Sequence, residues 1–189
     1  MEAHKYSETF ENISKNLHNL AEQISKTEPI DSCSLRITFN DMRGNETGKK
    51  RLDKICPDFR QWQNKSNSYF IYIITPDDKI EISQYHEQFK KAKQDSNRAF
   101  SRINKEGNAP ITFYVGSSKS LLSRIEQHLG FGTERVYALH MNRWIENLKG
   151  AITIECLEFA RDVGMDVVQA IEDGLWAEKK PIFGRRGSK

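Results

Sequence analysis

Apolar residues recur along the first part of the chain with the period of a helix. Between about Ser7 and Lys26 their spacing is three or four residues, which predicts an amphipathic helix with the apolar stripe Phe10, Ile13, Leu17, Leu20 and Ile24. A stripe of this kind has to be covered by other apolar surface. We expect the rest of the domain to cover it, with a partner subunit as the less favoured alternative.

Strand patterns follow at four places. Residues from about Ser34 to Phe39 alternate between apolar and polar side chains, as in a half-buried strand. The run from Tyr69 to Thr75 is almost wholly β-branched or aromatic, which predicts a central strand that is buried on both faces. Two further apolar runs, Ile111 to Val115 and Ala151 to Phe159, predict two more strands of the same sheet.

Helical spacing returns in four later segments, at about residues 83–104, 119–129, 137–148 and 166–178. The first of these is basic, because six Lys/Arg residues stand against three Asp/Glu between Glu87 and Glu106. Together the patterns predict an α+β fold in which a small three-stranded sheet, antiparallel or mixed, is flanked by helices. We place the core at residues 67–189, with the basic helix inserted in it. Residues 1–66 then form an N-terminal extension that contains a helix and a strand.

Composition restricts the possible classes of protein but does not indicate a function. A chain of 189 residues fits one domain, and its net charge of +3 is too small to indicate nucleic-acid binding by itself. The three cysteines, Cys33, Cys56 and Cys156, are far apart and form no cluster with the ligand spacing of a zinc site. The chain starts with polar sequence and has no apolar run of membrane-spanning length, so we expect a soluble protein of the cytoplasm.

The segment from Ile111 to His128 carries the most chemistry. Its strand delivers Tyr114, and Gly116 permits a tight turn where the backbone can approach a ligand. Arg124 and His128 are four residues apart on the following helix and therefore share a face. An arginine and an imidazole are thus presented beside a tyrosine at the end of a strand.

Three motifs in this chain resemble those of the GIY-YIG nuclease superfamily. The first is Phe70-Ile71-Tyr72, with Phe70 where glycine is usual, and the second is Tyr114-Val115-Gly116, with an arginine ten residues after the tyrosine. The third is Glu172 on the last helix, with Leu175 three residues on, then Pro181, and Gly184 where asparagine is common. The resemblance covers the chain from about Tyr69 to the C-terminus and is closest to the type II restriction branch.

This resemblance implies a metal-dependent DNA endonuclease with a tyrosine as general base. Glu172 would bind one Mg²⁺, or Mn²⁺, and Arg124 would contact the phosphate. Either Tyr72 or Tyr114 would activate the water, and His128 would accept that proton or assist from a neighbouring position. Lys119 and Gly116 are supporting residues. Each of these residue types is more often structural than catalytic, but their order and spacing favour the nuclease interpretation.

Two departures from the family bear on this expectation. The inserted basic helix lengthens the linker between the tyrosine motifs, which suggests an addition for binding DNA, and Gly184 lacks the amide that often steadies the site. Basic residues that we expect to contact double-stranded DNA are Lys49, Lys50, Arg51, Lys90, Lys91, Arg98, Arg102, Arg185 and Arg186.

Several functions remain open at this point. We favour a site-specific restriction endonuclease that acts as a homodimer, since cutting both strands with one site per chain requires two chains. A nuclease of repair or of a mobile element, which recognises DNA structure, is one alternative. A nucleic-acid-binding module that has kept the fold and lost cleavage is the other, and Phe70 and Gly184 are its best support.

Overall fold

The structure is a computed structural model, and it describes residues 6–43, 52–62, 67–77, 81–105, 107 and 109–187. Its sheet has four antiparallel strands in the order β1-β4-β2-β3, namely β1 (Asp31–Thr38), β2 (Ser68–Pro76), β3 (Tyr114–Ser118) and β4 (Ala151–Ala160). The predicted α+β class is confirmed, but the predicted number of three strands is wrong. The strand expected in the N-terminal extension pairs with β4 along its whole length and so joins the same sheet.

Helices lie before, between and after these strands. The α-helices are α1 (Ser7–Lys26), α2 (Phe39–Met42), α3 (Leu52–Ile55), α4 (Ile82–Gln94), α5 (Leu121–Leu129) and α6 (Met165–Lys179). Short 3₁₀ turns are found at Pro57–Trp62, Met141–Arg143 and Arg161–Val163. No helix in the described ranges is long and apolar enough to cross a membrane.

Strand β2 is central and contributes to an apolar core on each face of the sheet. On one face Phe70, Tyr72 and Ile74 belong to the main core, which holds most of the buried aromatic rings. On the other face Ile71 packs with Val168 of α6 in a smaller core. The prediction of a strand buried on both faces is therefore confirmed, and successive β2 side chains alternate between the two cores because the side-chain period of a strand is two.

Two of the predicted helices differ from those observed. Helix α4 ends at Gln94 instead of continuing to Asn104, because the segment after it pairs through its backbone with other parts of the chain. Phe100 forms a parallel bridge with Ala138, and Ile103 forms an antiparallel bridge with Phe183. The helix predicted at 137–148 is reduced to the turn Met141–Arg143, since the backbone of Ala138 is already bonded to residues 99 and 101.

The N-terminal helix α1 matches its predicted bounds but not its predicted environment. It packs on α6, yet none of its residues is buried. Phe10, Ile13 and Leu17 are exposed, with Phe10 at 65 %, and only Leu20 and Ile24 are half-buried. The expectation that the domain covers the stripe is therefore wrong for its first three members. The alternative, a partner subunit, stays a prediction.

Candidate active site

The two tyrosines of the motifs lie side by side on adjacent strands at the edge of the sheet. Edge strand β3 pairs with β2 so that Tyr72 is opposite Gly116, and the rings of Tyr72 and Tyr114 stack with centroids 6.1 Å apart. A Cβ atom on Gly116 would lie 2.6 Å from the hydroxyl of Tyr72 and 2.7 Å from the ring of Tyr114. Only glycine therefore leaves room for both phenols at this point.

Helix α5 positions Arg124 over both phenols. Its apolar residues Leu121, Ile125 and Leu129 are buried in the main core, which fixes the rotation of the helix about its axis. The Nε of Arg124 donates to the Oη of Tyr72 at 3.1 Å, and Nη2 donates to the Oη of Tyr114 at 3.2 Å. One guanidinium group thus bridges the two hydroxyls that the strands bring together.

His128, one turn further along α5, bonds to the same hydroxyl of Tyr72 at 3.0 Å through Nε2. The backbone N–H of Leu139 donates to the other ring nitrogen, Nδ1, at 3.3 Å. Burial holds the pKa of His128 well below its usual value, so the ring is neutral and carries one proton. Since Nδ1 accepts, that proton lies on Nε2, and His128 donates to Tyr72.

The Tyr72 oxygen therefore accepts hydrogen bonds from two N–H donors. Burial raises the pKa of Tyr72 above its ordinary value, while the positive charge and hydrogen bond of Arg124 act in the opposite direction. In this state burial prevails and the phenol keeps its proton. Both donors are nevertheless placed to stabilise a phenolate once the proton is lost.

Glu172 approaches the same edge of the sheet from α6, on the other face. Ser117, the residue after Gly116, directs its hydroxyl to that face and donates to Oε2 of Glu172 at 2.5 Å. Gln169 donates to the same oxygen at 3.3 Å. Burial raises the pKa of Glu172, whereas the hydrogen bond from Ser117 and the charge of Arg124 lower it.

The surroundings of Glu172 fit a single-carboxylate magnesium site. Its Oε2 is held by Ser117 and Gln169, and its Oε1 accepts no hydrogen bond from the described residues. The described residues contain no group of three or more His, Cys, Asp or Glu arranged to hold a metal. Mg²⁺ does not need such a group, because it commonly binds one or two carboxylates and takes its other oxygens from water and substrate phosphate.

A cleft of about 900 Å³ opens beside Tyr114 and Arg124. Gly184, at φ +97°, forms part of its wall, and a Cβ there would lie 2.7 Å from the Tyr114 ring. Asn104 braces this wall, because its Nδ2 donates to the carbonyls of Pro181 at 2.8 Å and of Gly184 at 3.1 Å. Motif reasoning missed Asn104, since nothing in the sequence connects it with a segment almost 80 residues away.

The predicted DNA-contacting residues divide into separate groups. Lys90, Arg102 and Arg185 line the cleft next to Arg124. Lys91 and Arg98 instead line a second cavity, of about 480 Å³, where Arg98 is paired with Glu134 at 2.7 Å.

The remaining basic residues lie elsewhere. Arg186 is exposed near the C-terminus and lines neither cavity. Lys119 lies over the ring of Tyr69, with its Nζ 5.5 Å from the centroid, and bonds to neither phenol. Lys49, Lys50 and Arg51 are outside the described residues.

Comparison of the chain with protein-family models, with curated proteins and with solved structures finds no match. Its activity therefore has to be inferred from the chemistry and geometry of its own residues.

Proposed function

We propose that this chain is a metal-dependent DNA endonuclease whose active site consists of Tyr72, Tyr114, Arg124, His128 and Glu172. One observation carries the proposal: residues up to 100 positions apart in the sequence (72 to 172) lie at one edge of the sheet, four of them on one face and Glu172 on the other. Hydrogen bonds of 3.0 to 3.2 Å join four of them, and Glu172 is fixed to β3 by Ser117. A structural core rarely gathers an arginine, a neutral histidine and two phenols in this way.

Arg124 has the position of a phosphate-binding residue. It bridges both phenols and also lines the cleft through which a substrate would approach. A planar guanidinium with several N–H groups suits the oxygens of a phosphodiester, and it stabilises the negative charge that develops on them during hydrolysis. We therefore assign to Arg124 both orientation of the phosphate and stabilisation of the transition state.

Tyr72 is the better candidate for the general base of the two phenols. Its oxygen accepts from Arg124 and from His128, whereas Tyr114 accepts only from Arg124 among the described residues. In the proposed step Tyr72 first loses its own proton to solvent, and the phenolate then takes a proton from water while the water oxygen bonds to phosphorus. The bond from phosphorus to the leaving deoxyribose oxygen breaks, and that oxygen takes a proton from solvent. His128 acts as a donor to the phenolate rather than as an acceptor of the proton.

Glu172 is the residue that would hold the metal. Bound there, Mg²⁺ or Mn²⁺ would neutralise charge on the phosphate and on the leaving oxygen. Metal binding requires the ionised carboxylate, and burial has raised the pKa of Glu172. We therefore expect activity to fall on acidification at a higher pH than an ordinary glutamate would give.

Within this class we propose a site-specific enzyme of the restriction type that acts on double-stranded DNA as a dimer. The resemblance of the Arg124–His128 pair to the restriction branch supports this choice. The intact Tyr114, Arg124 and Glu172 speak against an inactive binding module.

The test is cleavage of a panel of plasmid and phage DNAs with Mg²⁺ or Mn²⁺, beside reactions with EDTA. The Glu172→Ala variant removes the proposed metal ligand. The Glu178→Ala variant, on the exposed part of the same helix, is its matched control. We expect discrete fragments from the wild type and from Glu178→Ala, and none with EDTA or from Glu172→Ala.

Two other outcomes would favour an alternative function. Nicking that depends on branches or flaps rather than on sequence would favour a structure-directed nuclease of repair or of a mobile element. DNA binding without any metal-dependent cleavage by the wild type would contradict the enzyme proposal and leave a binding module.

A further inference from the structure

The cleft beside the candidate active site is lined by basic and by apolar residues. Four cations line it in addition to Arg124, namely Lys90, Lys93, Arg102 and Arg185. No carboxylate is among the residues that line it in the described part of the chain. The buried ring of Phe100 and the half-buried Ile103 line the same cleft. Repeated positive charges together with apolar surface suit a chain of phosphates that carries flat, weakly polar bases.

Helix α4 directs only one of its faces into this cleft. Lys93 and Gln94 follow Lys90 by three and four residues, so both lie on its face of the helix, and all three line the cleft. Lys91 lies on the other face and lines the second cavity, where Asp95, Glu134 and Glu146 balance the charge of the basic residues. The uncompensated charge of the inserted helix is thus concentrated on the side of Arg124.

An aromatic side chain stands beside this cleft. Tyr137 is 69 % exposed, and its backbone carbonyl accepts from Nη1 of Arg124 at 3.0 Å. The backbone of Tyr137 is therefore held next to the residue that we assign to the phosphate, and most of the side chain meets solvent. An exposed tyrosine in a basic groove is a stacking platform for a base whose face is free. Inside a duplex the faces of the bases are covered by their neighbours in the stack.

The volume of the cleft agrees with such a ligand. At about 900 Å³ it is in the size range that encloses a small organic molecule, which one or two nucleotides resemble in size, but not a double helix. We propose that the cleft binds an unpaired segment of the DNA strand next to the scissile phosphate. Lys90, Lys93, Arg102 and Arg185 contact its phosphates, and Tyr137 stacks on one base. This inference rests on the proposed nuclease activity, because it takes the cleaved strand as the ligand. In the restriction-type enzyme that we propose, the unpaired segment would form by local opening of the bound duplex at the scissile phosphate, a cost that a single strand or a flap does not have.

The experiment measures binding by fluorescence anisotropy in EDTA, so that cleavage does not interfere. The probes are a short labelled single strand, its duplex, and the same duplex with an unpaired flap. Each is titrated at several salt concentrations with the wild type and with Lys90→Ala, Lys91→Ala, Tyr137→Ala and Tyr137→Phe. Lys90 and Lys91 are adjacent and both exposed, so Lys91→Ala is the matched control for the loss of a charge.

We expect the single strand and the flap to bind more tightly than the blunt duplex. Lys90→Ala should weaken this binding and reduce the slope of log K against log salt by about 0.7, the value for one phosphate contact in a single strand. Lys91→Ala should leave the slope unchanged. Tyr137→Ala should weaken binding to the flap about tenfold, while Tyr137→Phe, which keeps the ring, should stay within about twofold of the wild type.

Two results would overturn the inference: equal effects of Lys90→Ala and Lys91→Ala, or equal flap affinity in the wild type and Tyr137→Ala. Neither is confused with failure of the nuclease proposal. That failure would appear as an absence of cleavage with Mg²⁺ or Mn²⁺, which these metal-free titrations do not measure.

Discussion

Helices α5 and α1 are predicted by the same pattern and have opposite environments. Each has apolar residues at spacings of three and four. In α5 the stripe Leu121, Ile125 and Leu129 is buried, whereas in α1 Phe10 and Leu17 are exposed at 65 % and 61 %. Apolar periodicity therefore identifies a helix and its apolar face, but not whether the chain itself covers that face.

The difference in burial between α5 and α1 also bears on the proposed function. Because the apolar face of α5 is fixed in the core, its polar face holds Arg124 and His128 against two phenols within hydrogen-bond distance. Catalytic groups need such fixed positions, since small displacements of them are costly. Helix α1 has no buried residue and contributes none of the proposed catalytic groups. Its exposed stripe is the natural place to look for the second chain that a double-strand cut requires.

Truncation of one stripe residue in each helix tests this contrast directly. Ile125→Ala should lower the free energy of unfolding by about 2–5 kcal/mol, because it leaves a cavity in the main core. Leu17→Ala should change it by no more than about 0.5 kcal/mol, as for other exposed positions. Denaturant unfolding of both variants measures the two values. A large loss for Leu17→Ala would mean that its stripe is covered, and sedimentation would then show whether a second copy covers it.

Two glycines allow a similar comparison within the site. Gly116→Ala places a Cβ against both phenols, so we expect a loss of about 1–3 kcal/mol in stability and a loss of cleavage. Gly174 lies on α6 with nothing within 4 Å of a Cβ, and Gly174→Ala should stabilise the protein by about 0.5–1 kcal/mol. The same unfolding curves test both. If Gly116→Ala were as stable as the wild type, the close packing of Tyr72 and Tyr114 against Gly116 would be contradicted.

The buried histidine of α5 makes stability depend on pH. Its folded pKa is lowered, so below the unfolded pKa of about 6.5 the unfolded chain binds a proton that the folded chain does not. Stability from this source is present above about pH 6.5 and is lost as the pH falls. His86 and His140, whose pKa values burial also lowers, act in the same direction.

The informative quantity is therefore the difference between the wild type and His128→Gln. Between about pH 6.5 and 5.5 the variant should lose less stability, by up to about 1.4 kcal/mol per pH unit. Urea unfolding at several pH values gives both slopes. Equal slopes would mean that His128 is protonated in the folded protein, and its assignment as a neutral donor would fail.

Local patterns account for much of the fold and for three of the five proposed site residues. The Tyr114–Arg124–His128 arrangement follows from one strand, one turn and one helix, so its spacing can be interpreted from sequence alone. Glu172 could be predicted as a site residue only through the resemblance to a family motif. The roles of Asn104 and Ser117 could not be predicted from the sequence, because they depend on which strands pair and on contacts between distant segments.

The errors have the same origin. Apolar residues after Gln94 kept a helical spacing, but their backbone bonds to residues around 138 and 183 replaced the helix. The predicted sheet has three strands instead of four because sequence does not reveal that the first strand pairs with a strand more than 100 residues later. Tertiary contacts decided both cases against the local preference.

The most direct test of the account is the single-turnover cleavage rate of Tyr72→Phe beside that of Tyr114→Phe, on one DNA that the wild type cuts. Both variants keep the ring and lose one hydroxyl. If Tyr72 is the general base, Tyr72→Phe should reduce the rate by about 10²–10⁴-fold, and Tyr114→Phe should reduce it far less. The reverse order would assign the base to Tyr114, and equal rates in Tyr72→Phe and the wild type would contradict the proposed mechanism.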